Sequence, residues 1–223
     1  IAEGTKLTAI KKRVFFWALE VGKKYEHYGA NGHRYERKLA LARKLVFSKW
    51  QAGFRGNLEH IVSGSAALQP RLIRIFNAAG IHVMEGYGLT ETSPVVTSSV
   101  MENGGFRIGT VVTVIDGTEV KISDDGEICV KGPQVMLGYY KEPELTAEVL
   151  QDGYFHTGDL GEIDEDGFLR ITGRKKEMFK TSGGKYVAPQ LLENRLKQSR
   201  FIEQVMVVGE SEKMPAALIQ PEF

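Results

Sequence analysis

The period of the apolar residues changes part-way along this chain, and that change constrains the fold more than any single motif. Near the start, Leu7, Ile10, Val14, Trp17 and Val21 recur at spacings of three and four, the mark of a helix with one apolar face. Thr5 stands where an N-cap is wanted and Gly22 where the helix should stop, while Lys11, Lys12 and Arg13 fall mainly on the opposite side. The break Gly29-Ala30-Asn31-Gly32 follows, and a second helical stretch runs to about Trp50. From Leu58 onward short runs take over. Residues 58–62 read as a buried strand entering a small-residue loop, 63–67. Pro70 suits the first turn of a helix that Gly80 closes, and residues 81–84 form a second strand leading into Gly86-Tyr87-Gly88. Strand, loop, helix, strand is the rhythm of an α/β layer on a parallel sheet.

Beyond Arg107 the period becomes two. Asp124-Asp125-Gly126 turns one hairpin, between residues 119–122 and 127–131. Asp164 to Gly167 turns another, between 160–163 and 168–172. These strands predict a small antiparallel sheet or distorted, barrel-like sheet that ends at Gly173-Arg174. After it, a strand at 177–181, a turn at Gly183-Gly184, a helix at 189–198 and strands at 204–208 and 216–219 form a small α+β unit. The expected fold class is therefore α/β. A helical segment, a partial parallel sheet and a barrel-like sheet occupy 1–172, a hinge 173–176, and the beginning of a small mobile domain 177–223. About fifty residues would be marginal as an independent unit.

An apolar fraction of 42% and a charged fraction of 26% are enough for a buried core and argue against disorder. The net charge of +1 by itself says nothing about a nucleic-acid partner, and none is expected. Charge is uneven, however: residues 1–50 hold twelve Lys and Arg against Glu3, Glu20, Glu26 and Glu36. That excess fits a solvated helix face, and it also allows peripheral contact with an anionic membrane surface. Cys129 is the single cysteine, so there is no disulfide framework, and its alternating surroundings predict a buried, inert thiol in a reducing, cytoplasmic compartment. No apolar stretch is long enough to span a bilayer and no signal peptide is visible.

Three segments carry candidate chemistry. In Gly86-Tyr87-Gly88-Leu89-Thr90-Glu91, the glycines after a strand let a ligand approach the backbone and Tyr87 offers a flat face to a base. Thr90 supplies a hydroxyl for a phosphate, and Glu91 a hard oxygen for Mg²⁺. In Tyr154-Phe155-His156-Thr157-Gly158-Asp159, a carboxylate at the end of a tight turn either caps that turn or accepts the hydroxyls of a ribose. Arg174 can meet ribose or phosphate, and Lys176 reads as another surface charge. Ser182-Gly183-Gly184-Lys185 lacks the first glycine and the hydroxyl residue of a phosphate loop and is not one. His27, His33, His60, His82 and His156 have no metal-ligand spacing and are read as structural or exposed.

In order and at these separations, SGSAAL, GYGLTETSP, GEICVKGP and YFHTGDLGEIDEDGFLRITGRKKEMFKTSGGKYVAP resemble the adenylate-forming enzyme superfamily, from about Ile61 to the end. Within it the chain most resembles bacterial long-chain fatty acyl-CoA synthetases, on the basic helical stretch before the SGSAAL strand, the loop SGSAALQP and the end PAALIQP. The resemblance implies ATP, Mg²⁺ and CoA as co-substrates and a fatty acid as the acyl donor. It implies that the loop with Gly64, Ser65 and Ala66, together with Gly86, Tyr87 and Gly88, flanks adenine. Thr90 would hold the α-phosphate, Glu91 the Mg²⁺, and Asp159 and Arg174 the ribose hydroxyls. Lys176 would be the hinge, and Gly183 would line the pantetheine tunnel. The family's upstream Ser/Thr/Gly-rich phosphate loop and its late lysine are absent from these residues. A piece of a longer enzyme, inactive by itself, is the expectation. Two other readings stay open: an adenylating ligase for an aryl, short-chain or amino acid substrate, and a non-catalytic module whose basic first fifty residues bind membrane or nucleic acid.

Overall fold

The computed structural model describes residues 2–65, 68–99, 105–111, 113–199 and 201–222. The chain divides into two compact units, Ile1–Tyr87 with Ser98–Val112, and Gly88–Thr97 with Thr113–Phe223.

The first unit begins with α1 (Ala2–Thr5) and α2 (Ala9–Gly22), continues with α3 (Gly32–Ala42), a π turn at Arg43–Phe47, and α4 (Ser48–Gly53). Thr5 ends α1, so it does not cap the longer helix; Thr8 occupies that position, without a side-chain cap bond. The apolar stripe is correspondingly shorter than expected. Ile10 is 79% exposed, and the buried face is made by Ala18, Leu19 and Val21. These pack with Leu39, Ala42, Val46, Phe47, Ile75, Ala78 and Ala79 into one apolar cluster. Lys11, Lys12 and Arg13 are exposed, a solvated face.

Then come β1 (His60–Ser63), α5 (Pro70–Ala78) and β2 (His82–Tyr87), with β1 and β2 parallel and in register from His60↔His82 to Ser63↔Glu85. Pro70 stands in the first turn of α5 and Gly80 takes the left-handed conformation just past its end. β1 is not buried as its apolar sequence implied: Val62 is 67% exposed. β2 alternates half-buried and buried residues, because Val83, Glu85 and Tyr87 face inward.

In the second unit, a 3₁₀ turn at Thr90–Thr92 precedes β3 (Thr97–Ser98), which runs to the boundary, and β4 (Thr113–Val114). The antiparallel sheet follows: β5 (Glu119–Ile122), β6 (Glu127–Lys131), then α6 (Pro143–Val149), β7 (Leu150–Gln151), β8 (Tyr154–Ile163) and β9 (Leu169–Arg174). Its order is β5-β6-β8-β7, with β9 also on β8. Both hairpins form where the Asp-Gly turns put them. The sheet does not close into a barrel, since among the described residues β5 pairs only with β6. Ile128, Cys129, Val130, Phe155 and Leu169 form its core. The short helix α6 was not foreseen; seven residues are too few to display a helical period.

After a 3₁₀ turn at Lys175–Glu177 come β10 (Phe179–Lys180), β11 (Tyr186–Val187), α7 (Pro189–Leu196), β12 (Ile202–Val208) and β13 (Ala216–Pro221). β10 and β11 pair antiparallel, as do β12 and β13.

Candidate functional site

Each unit carries its own share of the expected residues. In the first, β1 delivers the chain to Ser63 and Gly64, opposite the Glu85-Gly86 end of β2. A Cβ on Gly64 would meet the Gly86 carbonyl oxygen at 3.7 Å, so the two backbones lie close. Ser65 takes a positive φ of 65°. Ala66 lies outside the described residues. The return of the loop is pinned by Glu85, a buried carboxylate that accepts the Leu68 N–H at 3.1 Å. Burial pushes the Glu85 carboxyl up, partly countered by that N–H. Tyr87, at the end of β2, is buried with 8% of its surface exposed.

In the second unit the motif continues at Gly88, where any Cβ would overlap the Pro94 carbonyl; only glycine fits this turn. Thr92 is fully buried and its hydroxyl accepts the Leu89 N–H at 2.9 Å, which fixes the 3₁₀ turn. That turn leaves Thr90 exposed and Glu91 half-buried. Glu91 is held twice by one segment: its carbonyl accepts the Met136 N–H at 2.8 Å and its Oε1 accepts the Tyr139 hydroxyl at 3.0 Å. Burial and the neighbouring Glu91 carboxylate both push the Tyr139 phenol up, so it stays a donor.

Asp159 owes its position to an irregularity of β8. Register against β6 shifts between Glu127↔Leu160 and Cys129↔His156, with Gly158 in the left-handed conformation at φ 73°. A bulge of this kind re-aims side chains, and here the strand also exchanges its neighbour β7 for β9. Thr157 ties the bulge down, donating to the Ile128 carbonyl at 2.8 Å and accepting the Asp159 N–H at 3.1 Å. Asp159 pairs in register with Arg174 on β9, and Arg174 Nε donates to Asp159 Oδ1 at 2.8 Å. The acid is 7% exposed in its side chain and the arginine 55%, so the pair has a buried end and an open end.

Beside it stands a cluster that the sequence did not disclose. Buried Glu127 accepts the Gly158 N–H at 2.7 Å and Lys175 Nζ at 3.1 Å, and lies 3.2 Å from His156 Nδ1. Lys175 also reaches Asp125 at 2.6 Å. Burial pushes Glu127 up, but Lys175, the Gly158 N–H and His156 outweigh it, so the carboxyl sits below its ordinary range. His156 also lies 3.5 Å from the Cys129 thiol. Burial and Glu127 push that thiol up, so the expected inert cysteine is what forms. Lys176 and Gly183 are exposed, the first in the 3₁₀ turn after β9 and the second between β10 and β11.

The second unit thus offers a carboxylate anchored through one oxygen next to an exposed hydroxyl, and a carboxylate–guanidinium pair at a bulge. Among the described residues no group of three His, Cys, Asp or Glu side chains is placed to hold a metal ion. Glu91 alone fits a hard cation only if a ligand's oxygens complete the coordination.

The family model described as "AMP-binding enzyme" matches residues 20–140, and that described as "AMP-binding enzyme C-terminal domain" matches residues 177–223. The long-chain-fatty-acid–CoA ligase FadD15 of Mycobacterium bovis is 42% identical over 98% of this chain and 36% of its own length. Long-chain-fatty-acid–CoA ligase 5 of Rattus norvegicus is 40% identical over 78% of this chain and 27% of its own. The chain spans about a third of the length of these curated relatives. Among solved structures, o-succinylbenzoate CoA synthetase (MenE) of Bacillus subtilis in complex with the acyl-adenylate intermediate OSB-AMP has a TM-score of 0.68 at 25% identity, covering 78% of this chain and 40% of that one. The same enzyme in complex with ATP and magnesium ion gives 0.65 at 26% identity, over 77% of this chain and 40% of that one.

Proposed function

The chain belongs to the AMP-binding enzyme family, whose members bind ATP, and from that premise we propose that it forms the nucleotide-binding part of a long-chain fatty acid–CoA ligase. In the first step a carboxylate oxygen of the fatty acid bonds to the α-phosphorus of ATP while the bond to the β-bridging oxygen breaks, releasing pyrophosphate. In the second, the sulfur of CoA bonds to the acyl carbon, AMP leaves, and the thiol proton passes to solvent.

The observation that supports this reading best is the Asp159–Arg174 pair. A buried carboxylate whose guanidinium partner is more than half exposed suits a vicinal diol: the acid accepts hydroxyl protons and the arginine donates to the same ribose. Thr90 and Glu91 then serve the α-phosphate and a Mg²⁺ held jointly by Glu91 and phosphate oxygens. Bound there, Mg²⁺ would supply charge neutralisation as two anions approach. Tyr87 and the 63–67 loop flank the base. Lys176 is the hinge of a mobile domain beginning at 177, and Gly183 meets the pantetheine arm after rotation.

The 40–42% identity to long-chain ligases favours a fatty acid over an aryl acid, although o-succinylbenzoate enzymes are similar in fold. In the full-length protein, Asp159→Ala and Arg174→Ala should each raise KM for ATP with little change in KM for the acid. Glu91→Ala should lower kcat about 100-fold or more, a typical loss when charge stabilisation is removed. A panel of carboxylic acids decides the acyl class; preference for an aryl acid over palmitate overturns the long-chain reading. At about a third of its relatives' length, the 223-residue chain alone is expected to make no acyl-CoA. ATP-dependent thioester formation by the purified chain would refute that.

A further inference from the structure

One hydrogen bond to Glu91 comes from a residue remote in sequence. Tyr139 lies 48 positions further along the chain, yet its hydroxyl donates to Glu91 Oε1 at 3.0 Å. The contact is built, because the segment carrying it is shaped around it. Leu137 and Tyr140 on either side are 100% and 87% exposed, while Tyr139 alone turns inward. Gly138 has φ 148°, and Thr146 lies so close beneath it that a Cβ there would be crowded. Tyr139 N–H donates to Thr146 Oγ1 at 2.9 Å, and that hydroxyl donates to the Glu142 carbonyl at 2.7 Å. The Met136 N–H bond to the Glu91 carbonyl closes the clasp from its other end.

The consequence lies in what remains of the carboxylate. With Oε1 accepting the phenol, Oε2 accepts no hydrogen bond among the described residues. A carboxylate held in this way presents one oxygen to a cation. Mg²⁺ is small and demands near-octahedral geometry at short distances, in which a carboxylate fills one position with one oxygen; Ca²⁺ is larger and readily takes both oxygens. Resting on the reading that Glu91 meets the cation with the nucleotide phosphates, we propose that Tyr139 is a positioning residue. It commits Glu91 to one-oxygen ligation and so sets the site's preference for Mg²⁺ over Ca²⁺.

The test is cation-dependent ATP binding by the full-length protein, without fatty acid, titrated separately with Mg²⁺ and Ca²⁺. Tyr139→Phe keeps the ring and removes only the donor. Its ratio of half-saturating Ca²⁺ to Mg²⁺ should fall about 5- to 10-fold, as both oxygens become available to the larger ion. Thr146→Val, which removes the acceptor that positions the Tyr139 backbone, should shift the ratio the same way by less, and it stands in if Tyr139→Phe does not fold. A purely structural tyrosine would weaken both cations alike and leave the ratio unchanged, which overturns the inference. Glu91→Gln separates this from the reading beneath it. If that change leaves the cation dependence of ATP binding intact, Glu91 is not the cation's ligand. If it weakens both cations while Tyr139→Phe leaves their ratio alone, only the role of Tyr139 fails.

Discussion

The two units solve the problem of buried polar groups in opposite ways. In the first, the interior is made by Ala18, Leu39, Ala42 and Phe47, all fully buried, and two enclosed ring nitrogens, His27 Nε2 and His82 Nδ1, have no hydrogen-bond partner among the described residues. In the second, the enclosed acids Glu127 and Asp159 are matched by Lys175, Arg174 and the Gly158 N–H. A neutral imidazole tolerates burial without a partner, and the first unit's buried acid, Glu85, meets the Leu68 N–H and is pushed toward its neutral form, whereas the second unit matches its acids with cations at the rim. The residues proposed to touch phosphate, ribose and metal begin where this second arrangement begins, at Gly88.

The largest expected effect tests whether the units are energetically separate. Phe47→Ala removes a fully buried ring from the first unit's cluster and should cost about 3–5 kcal/mol. Hydrogen exchange should then accelerate across α2, α3 and α5 while β6 and β8 keep their protection. Equal loss of protection in β6 would show that the two units unfold together. Next comes Glu127→Gln, which removes the charge that Lys175 and His156 address while keeping the shape. A cost of about 2–3 kcal/mol is expected, as for a buried charge pair broken on one side, measured by urea unfolding.

Acid should act on the two units in different windows. Burial, aided by His82 and opposed by Glu26, lowers the His27 imidazole to about 4. Between its ordinary 6.5 and that value, the unfolded chain takes up a proton that the folded one refuses. Stability of the first unit therefore falls as pH drops through this range, by about 1–2 kcal/mol once the half-exposure of the ring is allowed for. His82, lowered by burial and by His60 and Arg43, acts in the same sense. Glu85, raised by burial, acts oppositely, because its folded carboxyl protonates first. Glu85 thus offsets part of the loss at the acid end, and His27→Gln should flatten the His27 contribution. The second unit should hold through the same range.

How much of this was legible depended on how local its cause was. Asp124-Asp125-Gly126 and Asp164 to Gly167 turn hairpins by backbone preferences that a few residues carry, and both formed as read. Thr90, Glu91, Asp159 and Arg174 stood out as residue types beside glycines. What makes Asp159 buried and paired did not, because the bulge at Thr157-Gly158 is set by β6 and β9, remote in sequence. The burial of Glu127 was not legible either, because β6 is buried on both faces and Lys175 and His156, remote in sequence, meet its carboxylate. Tyr139 was invisible for the same reason, and Ile10 misled in the other direction: periodicity identifies an apolar face, not what arrives to cover it.

Lys175 bridges Asp125 and Glu127, but it is 49% exposed and Asp125 55%, so the bridge lies at the rim where water competes. Lys175→Met keeps most of the stem and deletes the charge, and should cost only about 0.5–1 kcal/mol. Its signature should appear in titration. Lys175, then Ser123, hold the Asp125 carboxyl at about 2, and Asp125 followed by Glu127 raises the lysine. The bridge's contribution is therefore present above the ordinary Asp value of 3.8 and lost as pH falls through about 2. At the alkaline end it persists to the ordinary Lys value of 10.5 and is lost above it. In the variant the Asp125 resonance followed by NMR should titrate higher than in the parent but still below 3.8, because Ser123 remains, while thermal unfolding near pH 7 changes little. If Lys175→Met instead costs as much as Glu127→Gln, the lysine is acting as a buried partner rather than a rim cation. The distinction between an interior of neutral rings and an interior of acids matched from the rim would then fail at its best-defined example.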